Sequence, residues 1–319
     1  MGRKSRNEKV KPEEKLLTID LEPIATQWVK FALAEDIGGG DITTSAVVPA
    51  GMRAKAAVFA REGGVLAGLQ VAMIVFRELD PKIEFVAHMK DGENLAAGKR
   101  IFTIKGRARA ILAGERVALN YLQRFSGVAS LTDRFVRRVR GTGAKITDTR
   151  KTTPLMRMLE KYAVWAGGGV NHRFGLYDMF LVKDNHIKAA GSISAAVDRI
   201  RSTKIDIPVE VEARTYEEVK EACECRVDRI LLDNMSLAQI GKSVEIVENH
   251  WRGTRFKTVG GGKTRRPEIE VSGGVNLDNV KEIATTGVDY ISVGALTHSF
   301  KSIDMSLLLE EVETGKEVE

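Results

Sequence analysis

Residues 207–234 read IPVEVEARTYEEVKEACECRVDRILLDN. An apolar run, IPVEVEA, gives way to YEEVKEACE, whose apolar positions recur at helical spacing, and then to a second apolar run, RILLDN. Strand, helix and strand in so short a span form a βαβ unit, with parallel strands and a right-handed crossover. The rhythm extends in both directions. AKITDT, MFLVKD, IEVSGG and YISVGA are further short apolar runs, and ISAAVDRIRS, LAQIGKSVEIVE and LDNVKEIATT are amphipathic stretches between them. Six strands in succession predict an incomplete TIM-like α/β barrel, two strands short of eight.

The first third of the chain has a different rhythm. Residues 24–36 have helical apolar spacing and run into the turn GGGD. AKAAVFA (54–60), KIEFVAH (82–88) and RIFTIKG (100–106) alternate like strands of an antiparallel sheet. Residues 108–139 are long, helical and rich in alanine and leucine.

Composition narrows the class. The 319 residues are 43% hydrophobic and 29% charged, as in a globular protein with a sizeable core. No apolar run approaches the roughly 18–20 residues that span a bilayer, and MGRKSRNEKVKPEEK at the start has no apolar core for a secretory signal. That start reads instead as a disordered charged tail. The two cysteines, Cys223 and Cys225, have neither redox nor zinc spacing, which suits a reducing cytoplasm. The net charge of +6 fits either nucleic acid or small anionic substrates. With 6% aromatics and no basic stretch interleaved with them, stacking platforms for nucleic acid are missing, and anionic substrates are the better reading.

Chemistry collects at the carboxyl ends of the six predicted strands. The first ends in Asp148, Thr149, Arg150 and Lys151; the second ends in Lys183, Asp184, Asn185 and His186. The third carries Glu210 and Glu212, and the fourth ends in Asp233 and Asn234. The fifth ends in Ser272, Gly273 and Gly274, the sixth in Gly294 and Ala295. In α/β barrels catalytic groups sit at this end, so the periodicity gathers all of them around one mouth. Polar residues also mark where strands stop, but that does not explain cationic ends, then acidic ends, then glycine ends. Glycine ends on the last two strands suit a phosphate, although glycine is also the default residue of tight turns. Glu212 and Asp233 suit a divalent cation, ribose hydroxyls or a developing cationic carbon. Glu210 points the same way but lies deeper and reads as an ion-pair partner. The loop GGGVNHRFG (167–175) adds His172 and Arg173 beside Arg150, Lys151 and Lys183, a cluster that repels itself unless a polyanion fills it. GGGKT (260–264), inside the long insert 250–268, resembles the end of a P-loop. It lacks the required earlier glycine and the preceding strand, and reads as a solvated basic loop.

Taken together, TDTRKTTP, EKYAVWAGGGVNHRFGLYDMFLVKDNHI, VEVEA, LLDN, EVSGGVN and DYISVGALTHS resemble the quinolinate phosphoribosyltransferase family. LAEDIGGGDITT and AGERVALNYLQRFSGVAS match it too, and the resemblance covers roughly residues 24 to 308 in order and spacing. It implies transfer of a phosphoribosyl group from phosphoribosyl pyrophosphate to quinolinate with decarboxylation, giving nicotinate mononucleotide in NAD synthesis. It implies magnesium, Mg2+, at Glu212 and Asp233, directly or indirectly. The implied substrate-binding set is Arg116, Thr149, Arg150, Lys151, His172, Arg173, Lys183, Glu212, Asp233, Ser272, Gly273, Gly274, Gly294 and Ala295. Lys151, Lys183, Glu212 and Asp233 are its catalytic members, with either lysine open as the group that steadies the decarboxylated ring.

It further implies a homodimer or dimer-based oligomer with shared active sites, Arg116 reaching into the partner's barrel, and no nucleic-acid or membrane partner. The expected division is a tail over 1–17, an α/β sandwich over 18–125 with 298–319, and a catalytic barrel over 126–297. The chain departs from the family pattern in two places. Pro154, Leu155, Met156 and Arg157 stand where PGLR or PGFR is common, and Trp165 stands where many members have arginine. The alternatives are a related barrel phosphoribosyltransferase that uses another pyridine and a basic nucleic-acid-binding module.

Overall fold

The computed structural model describes residues 21–253 and 266–313. The expected tail over 1–17 and the GGGKT stretch of the insert lie outside the described residues. The chain forms two compact units, one of residues 21–133, 153–168 and 299–313, the other of 134–152 and 169–298.

The first unit begins with helices α1 (Glu22–Ile37) and α2 (Ile42–Val47). Asp41 caps α2 by accepting the Thr44 N–H at 2.9 Å. Strand β1 (Arg53–Ala60), the short β2 (Gly64–Val65), α3 (Leu69–Leu79), β3 (Glu84–Ala87), the short β4 (Asn94–Leu95) and β5 (Arg100–Arg107) follow, and then α4 (Ala108–Val139), whose last residues belong to the other unit. The final strand, β12 (Met305–Glu313), pairs antiparallel with β1, giving a four-stranded sheet in the order β12-β1-β5-β3. The apolar alternation of β1 and β5 buries Ala56, Val58, Phe102 and Ile104, with the Phe102 ring stacked on Phe85 at 4.5 Å and edge-on to Phe76 at 6.2 Å.

The second unit holds six strands: β6 (Lys145–Thr147), β7 (Phe180–Val182), β8 (Val209–Ala213), β9 (Arg229–Asp233), β10 (Glu268–Ser272) and β11 (Tyr290–Ser292). All the neighbouring pairs are parallel, in the order β6-β11-β10-β9-β8-β7. The first of these six strands thus lies beside the last, as winding in one sense requires. The sheet is the expected six-stranded parallel one and stays open, with β6 and β7 as its two edges. Helices α7 (Ile193–Ser202), α8 (Tyr216–Glu224), α9 (Leu237–Gly253) and α10 (Val280–Thr285) connect successive strands. Each starts where the sequence turns amphipathic: Ser192 caps α7, and Thr215 with Glu218 forms a capping box on α8. Two short helices, α6 (Asp184–Ala190) and α11 (Ala295–His298), sit at strand ends that sequence periodicity leaves as loops.

The segment after β6 supplies no such connector. Its helix α5 (Arg157–Ala166) belongs to the first unit, for a polar reason. Glu160, fully buried, accepts from Arg124 at 2.5 Å and from the Thr153 N–H at 3.0 Å, and the Tyr162 hydroxyl donates to Asp91 at 2.7 Å. A buried carboxylate needs its partner, and that partner is on α4. Among the described residues no helix is long and apolar enough to cross a membrane.

Candidate active site

Because the six strands run parallel, their carboxyl ends share one edge of the sheet. At the end of β6, the fully buried Asp148 accepts from the Asn171 side-chain amide at 2.6 Å and the His172 N–H at 3.0 Å. These bonds tie the 170–173 loop to the strand that delivers Arg150 and Lys151. Thr149 Oγ1 accepts the Lys151 N–H at 3.0 Å, and Thr297 donates to the Lys151 carbonyl at 2.8 Å. Arg150 and Lys151 are exposed, whereas Arg173 is buried and donates to the Met179 carbonyl at 3.2 Å. Burial lowers the pKa of Arg173, and the nearby charge of Arg150 lowers it further. A buried guanidinium beside a second cation is relieved by an anion.

Beneath them His172 turns into the core. Its Nε2 lies 3.0 Å from Glu210 and 3.5 Å from Glu270, and both carboxylates are fully buried. Burial pulls the imidazole pKa down, but Glu270 and Glu210 outweigh it and hold it above the ordinary value. Nδ1 accepts the Arg173 N–H at 2.8 Å, which places the proton of the neutral ring on Nε2, facing Glu210. Burial raises Glu210, but His172 and Arg229 overcome it, so Glu210 is held low; Glu270 is held high by burial and by Glu210. Arg229 donates to Glu270 at 3.0 Å and Glu268 at 2.9 Å, and its guanidinium lies 3.9 Å from the centre of the Tyr290 ring. Glu210 is therefore the ion-pair partner that its depth in β8 implied. Among the described residues, His172, Glu210 and Glu270 are also a buried trio whose candidate ligand atoms all lie within 4.8 Å of one another, but Arg229 already supplies the countercharge at Glu270.

The acidic ends meet as expected, together with a residue that strand-end reading passed over. Arg214, just past β8, donates from Nη2 to Glu212 at 3.0 Å, from Nε to Asp233 at 3.1 Å and from Nη1 to Asp184 at 3.0 Å. Lys183 lies 3.6 Å from Glu212. Burial and then the charge of Asp233 raise the Glu212 pKa, and Lys183 and Arg214 only partly offset this. The signal for Arg214 was its spacing: it follows Glu212 by two residues, on the same side of the extended chain.

The glycine ends adjoin because β10 and β11 are hydrogen-bonded neighbours. Gly273 (φ +95°) and Gly274 (φ +64°) occupy backbone conformations that L side chains rarely adopt. A Cβ on Gly273 would stand 2.1 Å from Asn234 Oδ1, whereas one on Gly274 would point into open space. Gly294 lets Lys151 approach, since a Cβ there would lie 3.2 Å from Lys151 Cδ. Ser272 and Ala295 are half-buried beside them. Arg116 lies in the first unit, exposed on α4, with Leu119 and Leu122 buried on the same helix.

A parallel α/β sheet whose carboxyl edge carries cations, carboxylates and glycine turns defines a class, the α/β enzymes of anionic and phosphorylated substrates. The comparisons make the class particular. Residues 128–308 match the family model of the quinolinate phosphoribosyl transferase C-terminal domain, and residues 41–126 match that of its N-terminal domain. The chain belongs to the quinolinate phosphoribosyl transferase family. It is 40% identical to a chloroplastic nicotinate-nucleotide pyrophosphorylase (carboxylating) of Arabidopsis thaliana, covering 92% of this chain and 84% of that one. It is 41% identical to a probable nicotinate-nucleotide pyrophosphorylase of Methanocaldococcus jannaschii, over 90% and 98% of the two chains. Among solved structures it is similar to NadC from Streptococcus pyogenes, with a TM-score of 0.83, 38% identity and coverage of 92% and 98%.

Proposed function

We propose that this chain transfers the phosphoribosyl group of phosphoribosyl pyrophosphate to quinolinate and removes one ring carboxylate, giving nicotinate mononucleotide, pyrophosphate and CO2. The observation that carries the reading is the sharing of one sheet edge by three kinds of strand end. Arg150, Lys151, Arg173 and Lys183 supply cations for the two carboxylates of the pyridine. His172, committed to Glu210 below, holds the loop from which Arg173 reaches that edge. Ser272 to Gly274 and Gly294 to Ala295 offer backbone N–H groups to the 5-phosphate of the sugar.

The ring nitrogen attacks the anomeric carbon as the bond from that carbon to pyrophosphate breaks. Positive charge then builds on the ribosyl ring, where Glu212 and Asp233 stabilise it. The quaternised pyridine accepts the electron pair left by departing CO2, and a proton then takes the place of the lost carboxylate. Lys151 or Lys183 steadies that carbon.

The same acids fit magnesium. Glu212, Asp233 and Asp184 are hard oxygen donors already arranged around one cation, the Arg214 guanidinium. When bound, Mg2+ would neutralise charge on the leaving pyrophosphate. Asp233→Asn should therefore lower kcat far more than it weakens quinolinate binding, and an unchanged kcat removes Asp233 from the role.

The assembly proposed is a dimer or dimer-based oligomer in which Arg116, exposed on α4, completes the partner's site. The compartment proposed is the cytoplasm; both cysteines are free and buried, and burial pushes the Cys223 thiol up to about 11. Pyrophosphate release that depends on quinolinate, with nicotinate as comparator, tests the reading. Equal turnover of the two pyridines would overturn the dicarboxylate assignment.

A further inference from the structure

Arg214 uses all three of its guanidinium nitrogens on three carboxylates from three places: Glu212 in β8, Asp233 at the end of β9 and Asp184 at the start of α6. The two strand-end acids are well covered, with side chains 7% and 15% exposed, while the arginine is 50% exposed. Such an arrangement is lopsided. The acids are fixed and enclosed, and the cation that joins them is long, flexible and open to water on one side. Around it three carboxylates face Arg214 and, with its Nζ 3.6 Å from Glu212, Lys183. Without the guanidinium, one ammonium would be left against three acids, two of them drawn out of water.

We propose that Arg214 is a resident counter-cation of this acidic edge, holding Glu212 and Asp233 ready and withdrawing when the sugar and its divalent cation arrive. The inference rests on the reading that these acids serve the phosphoribosyl donor. Its physical basis is competition: a guanidinium and a divalent cation seek the same carboxylate oxygens and repel one another. Arginine suits the role because its planar fork offers donors on three separate nitrogens to three separated carboxylates, whereas an ammonium presents all its donors from a single nitrogen. Its partial exposure means that withdrawal returns the charge to water rather than burying it unpaired. Arg214 thus sets how readily the edge takes a divalent cation in the absence of substrate, and it acts as a positioning residue rather than a catalytic one.

The test is titration of the full-length protein with Mn2+ alone, without substrates, followed by electron paramagnetic resonance of the free ion. Arg214→Gln should bind Mn2+ on the order of tenfold or more tightly than the unaltered protein, because a unit charge at contact distance has been removed. Arg214→Lys keeps the charge but not the fork and should fall between the two. Thermal melts establish that each variant is folded. Should the glutamine variant fail to fold, the lysine variant carries the test alone. No tightening in a folded variant overturns the proposal, as does weaker binding of Mn2+. The titration needs no turnover, so it can fail while quinolinate-dependent pyrophosphate release succeeds, and the reverse.

Discussion

Substituting alanine at Gly273 and at Gly274 separates the strain of the β10 turn from its use. At Gly273 the new methyl meets Asn234 Oδ1 at 2.1 Å, Asn234 Cγ at 2.6 Å and the Asn234 nitrogen at 3.1 Å, at a φ of +95°. Asn234 is itself at φ 53° and its N–H bonds the Ser272 carbonyl at 2.9 Å, so it has little room to retreat. Overpacking contributes roughly 1–3 kcal/mol and the backbone conformation roughly 1–3 more, about 2–6 together. At Gly274 nothing lies within 4 Å of the added carbon. Only the left-handed backbone opposes it, at roughly 1–2 kcal/mol, and about half of that is returned by the stiffer unfolded chain. At about 2–4 °C per kcal/mol the first variant should melt roughly 5–20 °C lower and the second only about 1–4 °C lower. The order should invert in function. The open space before Gly274 is where the sugar phosphate is proposed to lie, so Gly274→Ala should raise the KM for phosphoribosyl pyrophosphate on the order of tenfold, while the fold is nearly intact. Thermal melts and steady-state kinetics on the two variants decide it. An unchanged KM in Gly274→Ala would refute the phosphate cradle, and a Gly273→Ala variant as stable as the parent would refute the packing argument.

Because burial and Asp233 hold the Glu212 carboxyl above its usual range, the acid limb of kcat/KM for the free enzyme should lie above the ordinary glutamate value of about 4.3. The folded chain should also lose the corresponding stability as pH rises through that limb; a limb at or below about pH 4 contradicts the assignment. Leu155 is 69% exposed at φ 70°, so Leu155→Gly relieves about 1–2 kcal/mol of backbone strain against roughly 0.5–1 of added unfolded-chain entropy. A melting temperature higher by about 1–4 °C is expected, and a lower one would show that the exposed leucine contributes packing. Arg116→Ala and Lys183→Ala should each be nearly inactive as homodimers and regain activity on subunit exchange. No recovery, with exchange demonstrated independently, would place Arg116 outside a shared site.

Strands of a parallel sheet buried on both faces announce themselves as apolar runs, so all six were legible, as were helices 193–202 and 216–224 to the residue. Their spatial order was not, because nothing local to β6 says that its neighbour is β11, whose Tyr290 pairs with Lys145 from 145 positions further along the chain. The departure of α5 was equally hidden, since its amphipathic pattern shows a buried face but not which unit buries it. Cations and acids at strand ends could be read from position alone. The network under His172 could not, because Glu270 pairs with residues far away in the chain, although a glutamate inside the apolar run IEVS was its local trace. Arg214 escaped because a charged residue beyond a strand ordinarily reads as solvated, and only the fold brings Asp184 and Asp233 to it.

The most direct measurement follows a single incubation of the protein with quinolinate labelled at the 2-carboxylate, phosphoribosyl pyrophosphate and Mg2+. Labelled CO2, pyrophosphate and nicotinate mononucleotide should appear together in equal amounts, and none should form when either substrate is left out. Pyrophosphate released without quinolinate, or a mononucleotide that keeps the label, would contradict the account.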